Sequence, residues 1–403
     1  MRLASTLASH GPALTSAMLS PAYSISRALK HPEYLKTLQS DEPGYQHVAQ
    51  APLVSTGACA SSLISFCEFA PQLLFDYPGY RRPQIVLWTA ADATLRPDFA
   101  VLDAFGSEAL MTQAKLTSLN ANRPVGQRRA LADCLAPFDI DAMGTVVGHG
   151  GSGVLVTTLK FALENFLDIT SIIVGWGQSG EAGGKAHFAG VGFGGENAIA
   201  QALDVAFEGH GYAVNDFEYL VAHATGTRTN SKTDLATVAA GFAGAATRQG
   251  RTSKLPILTV GAPKAVGDGH SMGETGLKAV SQAIQYLLGR QAVGVPTLRR
   301  ADPDLGPVTE RFNLQSQCVT GNRDGGVVCS TQGFGGYNGA IALRAANPDS
   351  LARYDGDRTV LDAYLEQWPA IRRTREQQEH DWRRRHRAAL ELAQHHRWRG
   401  ADR

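Results

Sequence analysis

A cysteine among small residues is the first position in this sequence whose type and surroundings could do chemistry. Cys59 lies in the segment VSTGACASSL (54–63), and the helix-compatible run 63–69 follows it. A thiol at a helix N-terminus has a lowered pKa, because the helix dipole and the unpaired N–H groups stabilise the nucleophilic thiolate. The sequence therefore offers Cys59 as a nucleophile, although a cysteine among alanine and serine is more often a buried small hydrophobe.

Two loops that contain histidine form the second group of candidates. His223 stands where an apolar strand pattern runs into a glycine and threonine turn, and a later loop between a strand and a helix contains both Lys264 and His270. Functional groups of α/β proteins gather at such strand ends. Each histidine taken alone would more often have a structural role than a catalytic one.

A glycine-rich turn, QGFGGYNG (332–339), follows an apolar strand pattern that ends near Cys329. Glycine permits positive φ and a close approach of the backbone, which main-chain N–H groups need if they are to point into a site. The alternative interpretation of this segment is a plain β-turn.

The elements around these segments alternate between strand and helix patterns. The β-branched runs 84–90 and 169–175 predict strands, and the runs 196–208 and 274–289 predict helices. This alternation predicts a layered α/β architecture. From Ser350 to Arg403 the chain becomes charged, and we expect one or two long surface helices there.

Composition limits the classes of protein that fit. The chain has 403 residues, of which 43% are apolar and 19% charged, as expected for an α/β enzyme. Its net charge of +1 gives no reason to expect nucleic acid as a partner, and no apolar run approaches the roughly 18 residues that a membrane span needs. Its five cysteines lack CxxC pairs, so we expect no disulfide framework, no metal site and a reducing, cytoplasmic location.

Together, the four segments resemble the condensing enzymes of the thiolase superfamily, specifically the β-ketoacyl-(acyl carrier protein) synthases, over about Leu53 to Arg344. In that family a nucleophilic cysteine, a histidine in an HGTGT-like loop, a lysine and second histidine in a K-x-x-x-GH-like loop, and a GFGG turn follow in this order. The matching positions here are Cys59, His223, Lys264, His270, Phe334, Gly335 and Gly336.

The resemblance implies a role for each matching residue. The implied catalytic residues are Cys59, His223, His270 and Lys264, and the implied oxyanion hole consists of the N–H groups of Cys59 and Phe334. The implied substrate-binding positions are Thr225, Thr227, Phe334, Gly335 and Gly336. No cofactor of its own is implied, because the phosphopantetheine arm belongs to the partner acyl carrier protein.

The resemblance also implies a layered αβαβα fold of two related halves. We expect a short N-terminal segment at 1–52, a first half with the nucleophile at 53–166, a second half with both histidines at 167–346, and a basic helical tail at 347–403. Only 58 residues precede the nucleophile, where the family builds much of its first half. The first half is therefore expected to be incomplete, so either the true start lies upstream or a partner covers the open sheet.

The implied reaction is a decarboxylative Claisen condensation in fatty-acid or polyketide biosynthesis. An acyl thioester held on Cys59 would react with a malonyl-type thioester, and the expected assembly is a homodimer or a heterodimer with another ketosynthase subunit. Two alternatives stay open: a non-catalytic partner subunit of another ketosynthase, and acyl transfer without decarboxylation.

Some positions depart from the family pattern. The spacing from Lys264 to His270 is one residue longer than usual, which could displace the imidazole. The acidic residue of the family's GEGAG-like loop falls at Gly150 or His149, and a later carboxylate position is Ala279. Because the cysteine, both histidines and the GFGG turn are present, we interpret these changes as tuning the site.

Overall fold

The computed structural model describes residue 55 and the ranges 57–76, 83–92, 109–181, 193–251, 255–266 and 269–399. For residues 132, 383 and 386–399 only the backbone is described. The N-terminal segment expected at 1–52 lies outside the described residues.

Strands and helices alternate along most of the described chain. The strands are β1 (Ile85–Asp92), β2 (Gly150–Thr157), β3 (Ser171–Gly180), β4 (Tyr219–Val221), β5 (Leu258–Gly261), β6 (Gln291–Ala292), β7 (Phe312–Asn313), β8 (Val319–Thr320), β9 (Gly326–Gly333) and β10 (Tyr337–Ala345). The helices are α1 (Ser61–Leu74), α2 (Gln113–Asn120), α3 (Leu159–Glu164), α4 (Phe193–His210), α5 (Arg228–Arg248), α6 (Thr275–Leu287), α7 (Pro348–Leu351) and α8 (Arg358–Arg399).

A six-stranded mixed sheet, in the order β3-β10-β9-β4-β5-β7, lies at the centre of the molecule. β10 pairs antiparallel with both β3 and β9, whereas β9, β4, β5 and β7 run parallel to one another. β4 is buried throughout, as expected for a strand covered by helices on both faces of a sheet. The carboxyl ends of β4 and β5 meet at the same edge.

The layers around this sheet follow from its two apolar faces. One face packs against α4 and α5 through residues such as Leu203 and Leu235. The other packs against α1 and α6 through residues such as Leu63 and Leu277, and this helical layer is covered in turn by the β1–β2 sheet, where Trp88 packs into the same core. The order helix, sheet, helix, sheet confirms the predicted layered α/β class. The numbered division into halves stays a prediction.

The long C-terminal helix is partly a core element. Leu361, Tyr364 and Trp368 recur at helical spacing on α8 and are buried against Leu163 of α3. The Tyr364 hydroxyl donates a hydrogen bond of 2.7 Å to the Leu167 carbonyl. The expected long helix is thus present as α8, and its first part buries an apolar stripe against α3 ahead of the charged run.

Candidate active site

Cys59 lies in a tight turn at the start of α1. A single 3-10 turn, Ala58–Ala60, leads into the helix, and Ala58 has a φ of 48°, which L-residues other than asparagine and aspartate rarely adopt. The Ser61 hydroxyl fixes this turn, because it accepts a 2.8 Å hydrogen bond from the Gly57 N–H and donates one of 2.6 Å to the Ala58 carbonyl. The predicted place of the thiol at a helix N-terminus is confirmed.

The surroundings of the thiol differ from the expectation in one respect. Cys59 is 3% exposed, and its burial raises the pKa of the thiol to about 12. The charge of Lys264 and the N–H groups of Cys59 and Phe334 act in the lowering direction, but they do not outweigh the burial. The prediction of a lowered thiol pKa is thus wrong, because desolvation of the thiolate exceeds the helix-terminus effect.

Two backbone N–H groups face the sulfur. The N–H groups of Cys59 and Phe334 both favour the thiolate, so both point towards Sγ. Phe334 begins the turn between β9 and β10, in which Gly335 and Gly336 have φ values of 84° and 86°. These left-handed conformations need glycine, as the sequence predicted. A Cβ on Gly333 would overlap the Gly57 carbonyl oxygen, so the turn lies directly against the cysteine loop.

His270 touches the nucleophile. Its Nε2 lies 3.2 Å from the Cys59 Sγ. The backbone of His270 is held by a 2.7 Å hydrogen bond from its N–H to the Val146 carbonyl and by a 3.0 Å hydrogen bond from the Gly148 N–H to its own carbonyl. Burial, then the charges of Lys264 and Lys278, hold the pKa of His270 well below its usual range, so the imidazole is neutral. The longer loop has therefore not displaced this side chain from the cysteine.

His223 and Lys264 come together at the edge where β4 and β5 end. The Lys264 Nζ lies 3.5 Å from the His223 Nδ1 and donates a hydrogen bond to the His223 carbonyl. The two imidazole rings, of His223 and His270, have centroids 5.8 Å apart and planes at 86°. Burial, then the charge of Lys264, keep the pKa of His223 well below its usual range. A lysine N–H directed at Nδ1 leaves the imidazole proton on Nε2.

A buried aspartate belongs to this group, although the sequence interpretation did not include it. Asp234 on α5 is fully buried, and its Oδ2 accepts a 2.7 Å hydrogen bond from the Ala224 N–H. Burial raises its pKa, whereas the Ala224 N–H and the charge of Lys264 act in the lowering direction. Burial lowers the pKa of Lys264, and the charges of Cys59 and Asp234 oppose this change. The sequence offered little signal for it, because Asp234 shares the buried face of α5 with the polar residues Ser231 and Thr237.

The two predicted threonines lie beside His223, and both form hydrogen bonds with other residues of the chain. Thr227 caps α5, because its hydroxyl accepts a 3.2 Å hydrogen bond from the Asn230 N–H. The Thr225 N–H donates a 3.0 Å hydrogen bond to the Asn230 Oδ1, and the two threonine hydroxyls are 3.4 Å apart. Their role in binding a pantetheine arm stays a prediction.

The opposite side of the thiol is apolar. The Met272 Sδ lies 3.9 Å from the Cys59 Sγ, and Val147 and partly buried Leu110 complete the cluster. Met272 has a φ of 42°, and Ala224 beside His223 has a φ of 46°. The sequence interpretation missed this cluster, since nothing in the local pattern brings these residues to the cysteine.

The described residues contain neither a metal-binding cluster nor a membrane-spanning helix. In the ranges that the structure describes, no three His, Cys, Asp or Glu side chains are arranged to hold a metal ion. Among the same residues, no helix combines the length and the apolar character that crossing a membrane requires.

Known proteins provide an independent comparison. No protein-family model matches the chain. It is 25% identical over 250 residues to 3-oxoacyl-(acyl-carrier-protein) synthase 2 of Staphylococcus aureus strain COL, an alignment that covers 62% of this chain and 56% of the relative. It is 26% identical over 208 residues to the protein of that name from Rhizobium meliloti strain 1021, covering 52% and 45%. The chain thus spans about half the length of these curated relatives.

Solved ketosynthase structures share the fold. The noncanonical ketosynthase FabY from P. aeruginosa superposes with a TM-score of 0.64 over 79% of this chain and 46% of its own, at 18% identity. The oxazolomycin ketosynthase domain OzmH KS7 from Streptomyces albus JA3453 gives a TM-score of 0.60 over 75% and 48%, at 19% identity. In sequence the chain is similar to 3-oxoacyl-(acyl-carrier-protein) synthases over about half of their length, and its fold is similar to that of solved ketosynthases.

Proposed function

We propose that the protein is a condensing enzyme of the 3-oxoacyl-(acyl carrier protein) synthase type, which joins an acyl group held on Cys59 to a malonyl-type thioester. The proposal rests on one observation above all. The Cys59 Sγ lies 3.2 Å from the His270 Nε2, in a buried site where His223 is the next ring and two backbone N–H groups face the sulfur.

The first half-reaction transfers the acyl group from its carrier to the cysteine. The neutral His270 imidazole accepts the thiol proton as Sγ attacks the thioester carbonyl, which suits a thiol with a raised pKa. The N–H groups of Cys59 and Phe334 stabilise the oxyanion. When the tetrahedral intermediate collapses, the carrier thiolate leaves and is protonated from solvent, while His270 keeps the thiol proton on Nε2. The products are acyl-Cys59 and the free carrier thiol.

The second half-reaction forms the new carbon–carbon bond. The malonyl thioester loses carbon dioxide, and the bonding electrons become an enolate whose negative oxygen accepts hydrogen bonds from the Nε2–H groups of His223 and His270. The enolate carbon attacks the carbonyl of acyl-Cys59, the thiolate of Cys59 leaves, and the proton on the His270 Nε2 passes to it, which restores the thiol and the neutral imidazole. Lys264 supports this step, because it sets the His223 tautomer through Nδ1.

The substrates in this proposal are thioesters on an acyl carrier protein, whose phosphopantetheine arm supplies the reactive thiol. The hydroxyls of Thr225 and Thr227 lie beside His223 and are the proposed contacts for that arm. The glycines of the 335–336 turn would let the arm approach the backbone closely. The enzyme itself would need no further cofactor.

The test is incubation of the full chain with acyl- and malonyl-loaded carrier protein, followed by intact-mass spectrometry and detection of carbon dioxide. We expect Cys59 to gain the acyl mass and a β-ketoacyl product to form. Cys59→Ala should abolish both, whereas Cys318→Ser, at an exposed cysteine, should change neither. Absence of product together with an unmodified Cys59 would contradict the proposal.

The same experiment separates the alternatives. Acylation of Cys59 without release of carbon dioxide would indicate acyl transfer rather than condensation. Full function of Cys59→Ala in an assembly with another ketosynthase would indicate a non-catalytic partner subunit.

A further inference from the structure

A buried carboxylate near His270 has no part in the proposed reaction. Glu274 immediately precedes α6 and is 3% exposed. Its Oε1 accepts a hydrogen bond from the Ser152 hydroxyl of β2, and its Oε2 accepts one from the Ser271 hydroxyl. Burial of a carboxylate is costly without such partners, so both serines are needed to keep it there.

Gly150, the first residue of β2, borders this carboxylate. A Cβ on Gly150 would lie 3.1 Å from the Glu274 Oε2 and 3.4 Å from its Cδ. A Cβ on the next residue, Gly151, would meet nothing closer than 3.8 Å. The two neighbouring glycines therefore differ: the first borders the carboxylate, and the second has ordinary space around it.

The carboxylate connects two segments that both border the site. Ser271 follows His270 directly, and Met272 comes next with its left-handed φ of 42°. On the other side, β2 begins just after the segment whose Val146 and Gly148 hold the His270 backbone. A link between Ser152 and Ser271 thus joins β2 to the turn that carries the imidazole.

We propose that Glu274 is a positioning residue, which holds the 270–272 turn against β2 and thereby keeps the His270 Nε2 at the Cys59 Sγ. This inference rests on the roles proposed above for Cys59 and His270. A carboxylate suits the task because it accepts at both oxygens, whereas the amide of glutamine has a single acceptor oxygen. Its charge also acts on Lys264, where it opposes the effect of burial on the lysine pKa.

The test follows the reactivity of Cys59 rather than product formation. The variants are Glu274→Ala, Glu274→Gln, Ser152→Ala and Gly150→Ala, with Gly151→Ala as the matched control. Alkylation of Cys59 by iodoacetamide is measured from pH 6 to 10 in the full chain by peptide mass spectrometry, which separates Cys59 from the other four cysteines. Each variant's melting temperature is recorded alongside.

We expect Glu274→Ala to slow alkylation of Cys59 roughly tenfold to a hundredfold near pH 7, because a displaced imidazole no longer accepts the thiol proton. Ser152→Ala, Gly150→Ala and Glu274→Gln should have smaller effects in the same direction, and Gly151→Ala should match the wild type. The difference in alkylation rate between these variants and the wild type should narrow as pH rises, because hydroxide then removes the thiol proton. Lys264, Lys278 and Asp92, the charged groups that act on Cys59 and His270, are retained in every variant. Ser152→Ala and Gly150→Ala also retain the Glu274 charge that acts on Lys264, so their effects report on positioning rather than on charge.

Alkylation rates in Glu274→Ala and Ser152→Ala that equal the wild-type rate at every pH would overturn the inference. If Glu274→Ala does not fold, Ser152→Ala and Gly150→Ala decide the question, because both keep the carboxylate. Failure of the proposed function is a separate result: the wild type would then not accept acyl groups from a carrier, while the alkylation rates would still follow the expected order.

Discussion

Within the described residues, the part of the molecule that carries the histidines contains a larger sheet than the part that carries the nucleophile. The first contains the six-stranded sheet with helices on both faces. The second, within the described residues, contains α1, the short helices α2 and α3, and the two-stranded β1–β2 sheet, on which Ile85, Leu87 and Leu155 are 47%, 52% and 73% exposed. This difference indicates that the histidine-bearing part determines the position of the cysteine.

Contacts from the histidine-bearing part hold the nucleophile in place. The Thr275 hydroxyl of α6 donates a 3.3 Å hydrogen bond to the Cys59 carbonyl, and the Leu277 N–H donates one of 3.1 Å to the Ser62 hydroxyl. Glycines in this part allow the close approach, since a Cβ on Gly339 would lie 2.9 Å from the Leu63 Cβ. The cysteine should therefore depend more on the six-stranded sheet than on β1–β2.

The largest expected effect concerns the two histidines. His223→Ala and His270→Ala should each lower the rate of condensation roughly 10²–10⁴-fold, because each removes a hydrogen-bond donor to the developing enolate. The measurement is the steady-state rate of β-ketoacyl product formation. His149→Ala changes an exposed histidine just before β2 and should leave the rate unchanged. An equal loss in all three variants would refute the assignment of chemistry to the histidine-bearing part.

A smaller but global effect is expected in the centre of the six-stranded sheet. Leu220 on β4 is fully buried, so Leu220→Ala should lower the free energy of unfolding by about 2–5 kcal/mol through lost contacts and a cavity. Denaturant unfolding, monitored through the transition midpoint, measures this change. Acyl loading of Cys59 should decrease at the same denaturant concentration at which the sheet unfolds.

Substitution of Lys264 tests the electrostatic interaction between the histidine-bearing part and Cys59. Its positive charge lowers the Cys59 pKa, so Lys264→Met should raise that pKa further and reduce the thiolate fraction at a given pH. We expect alkylation of Cys59 to slow roughly tenfold for each unit by which the pKa rises.

The faster alkylation of Cys59 in the wild type than in Lys264→Met depends on pH. Because burial lowers the pKa of Lys264, the advantage should be complete below that lowered pKa and disappear as pH rises through it. Alkylation profiles of the two proteins that stay parallel up to pH 10 would contradict the assigned interaction.

The smallest expected effect lies on the outer face of β1–β2. Leu155→Thr replaces an exposed side chain and should change the free energy of unfolding by no more than about 0.5 kcal/mol. The same denaturant measurement provides the comparison with Leu220→Ala. A loss of several kcal/mol, or a change of mass in solution on substitution, would show that this face is covered by a partner.

The sequence predicted which segments form the site, because a strand pattern that ends in a glycine-containing loop identifies a residue at a sheet edge. Cys59, His223, Lys264 and His270 are brought together as those patterns indicated. The layered α/β class also followed from alternating apolar runs, which identified β1, β3, α4 and α6.

Other features could not be predicted because they depend on contacts between distant parts of the chain. The rise in the thiol pKa depends on how completely α1 is covered, and no local pattern records that coverage. The contacts of Met272 with the sulfur and of Glu274 with Ser152 join residues far apart in sequence. The burial of Trp368 likewise depends on where α3 lies.

Three non-glycine residues with positive φ lie beside the site. They affect both the stability of the fold and the orientation of the neighbouring side chains. Ala58 adjoins Cys59, Ala224 adjoins His223, and Met272 follows closely after His270, each with positive φ. A non-glycine residue in this conformation costs roughly 1–2 kcal/mol. Glycine would remove that cost but give the unfolded chain more freedom, so the net gain in stability would be small. The protein thus stores local strain beside three of the side chains to which we assign chemistry, and glycine there would leave the fold intact while broadening the range of directions in which each side chain points.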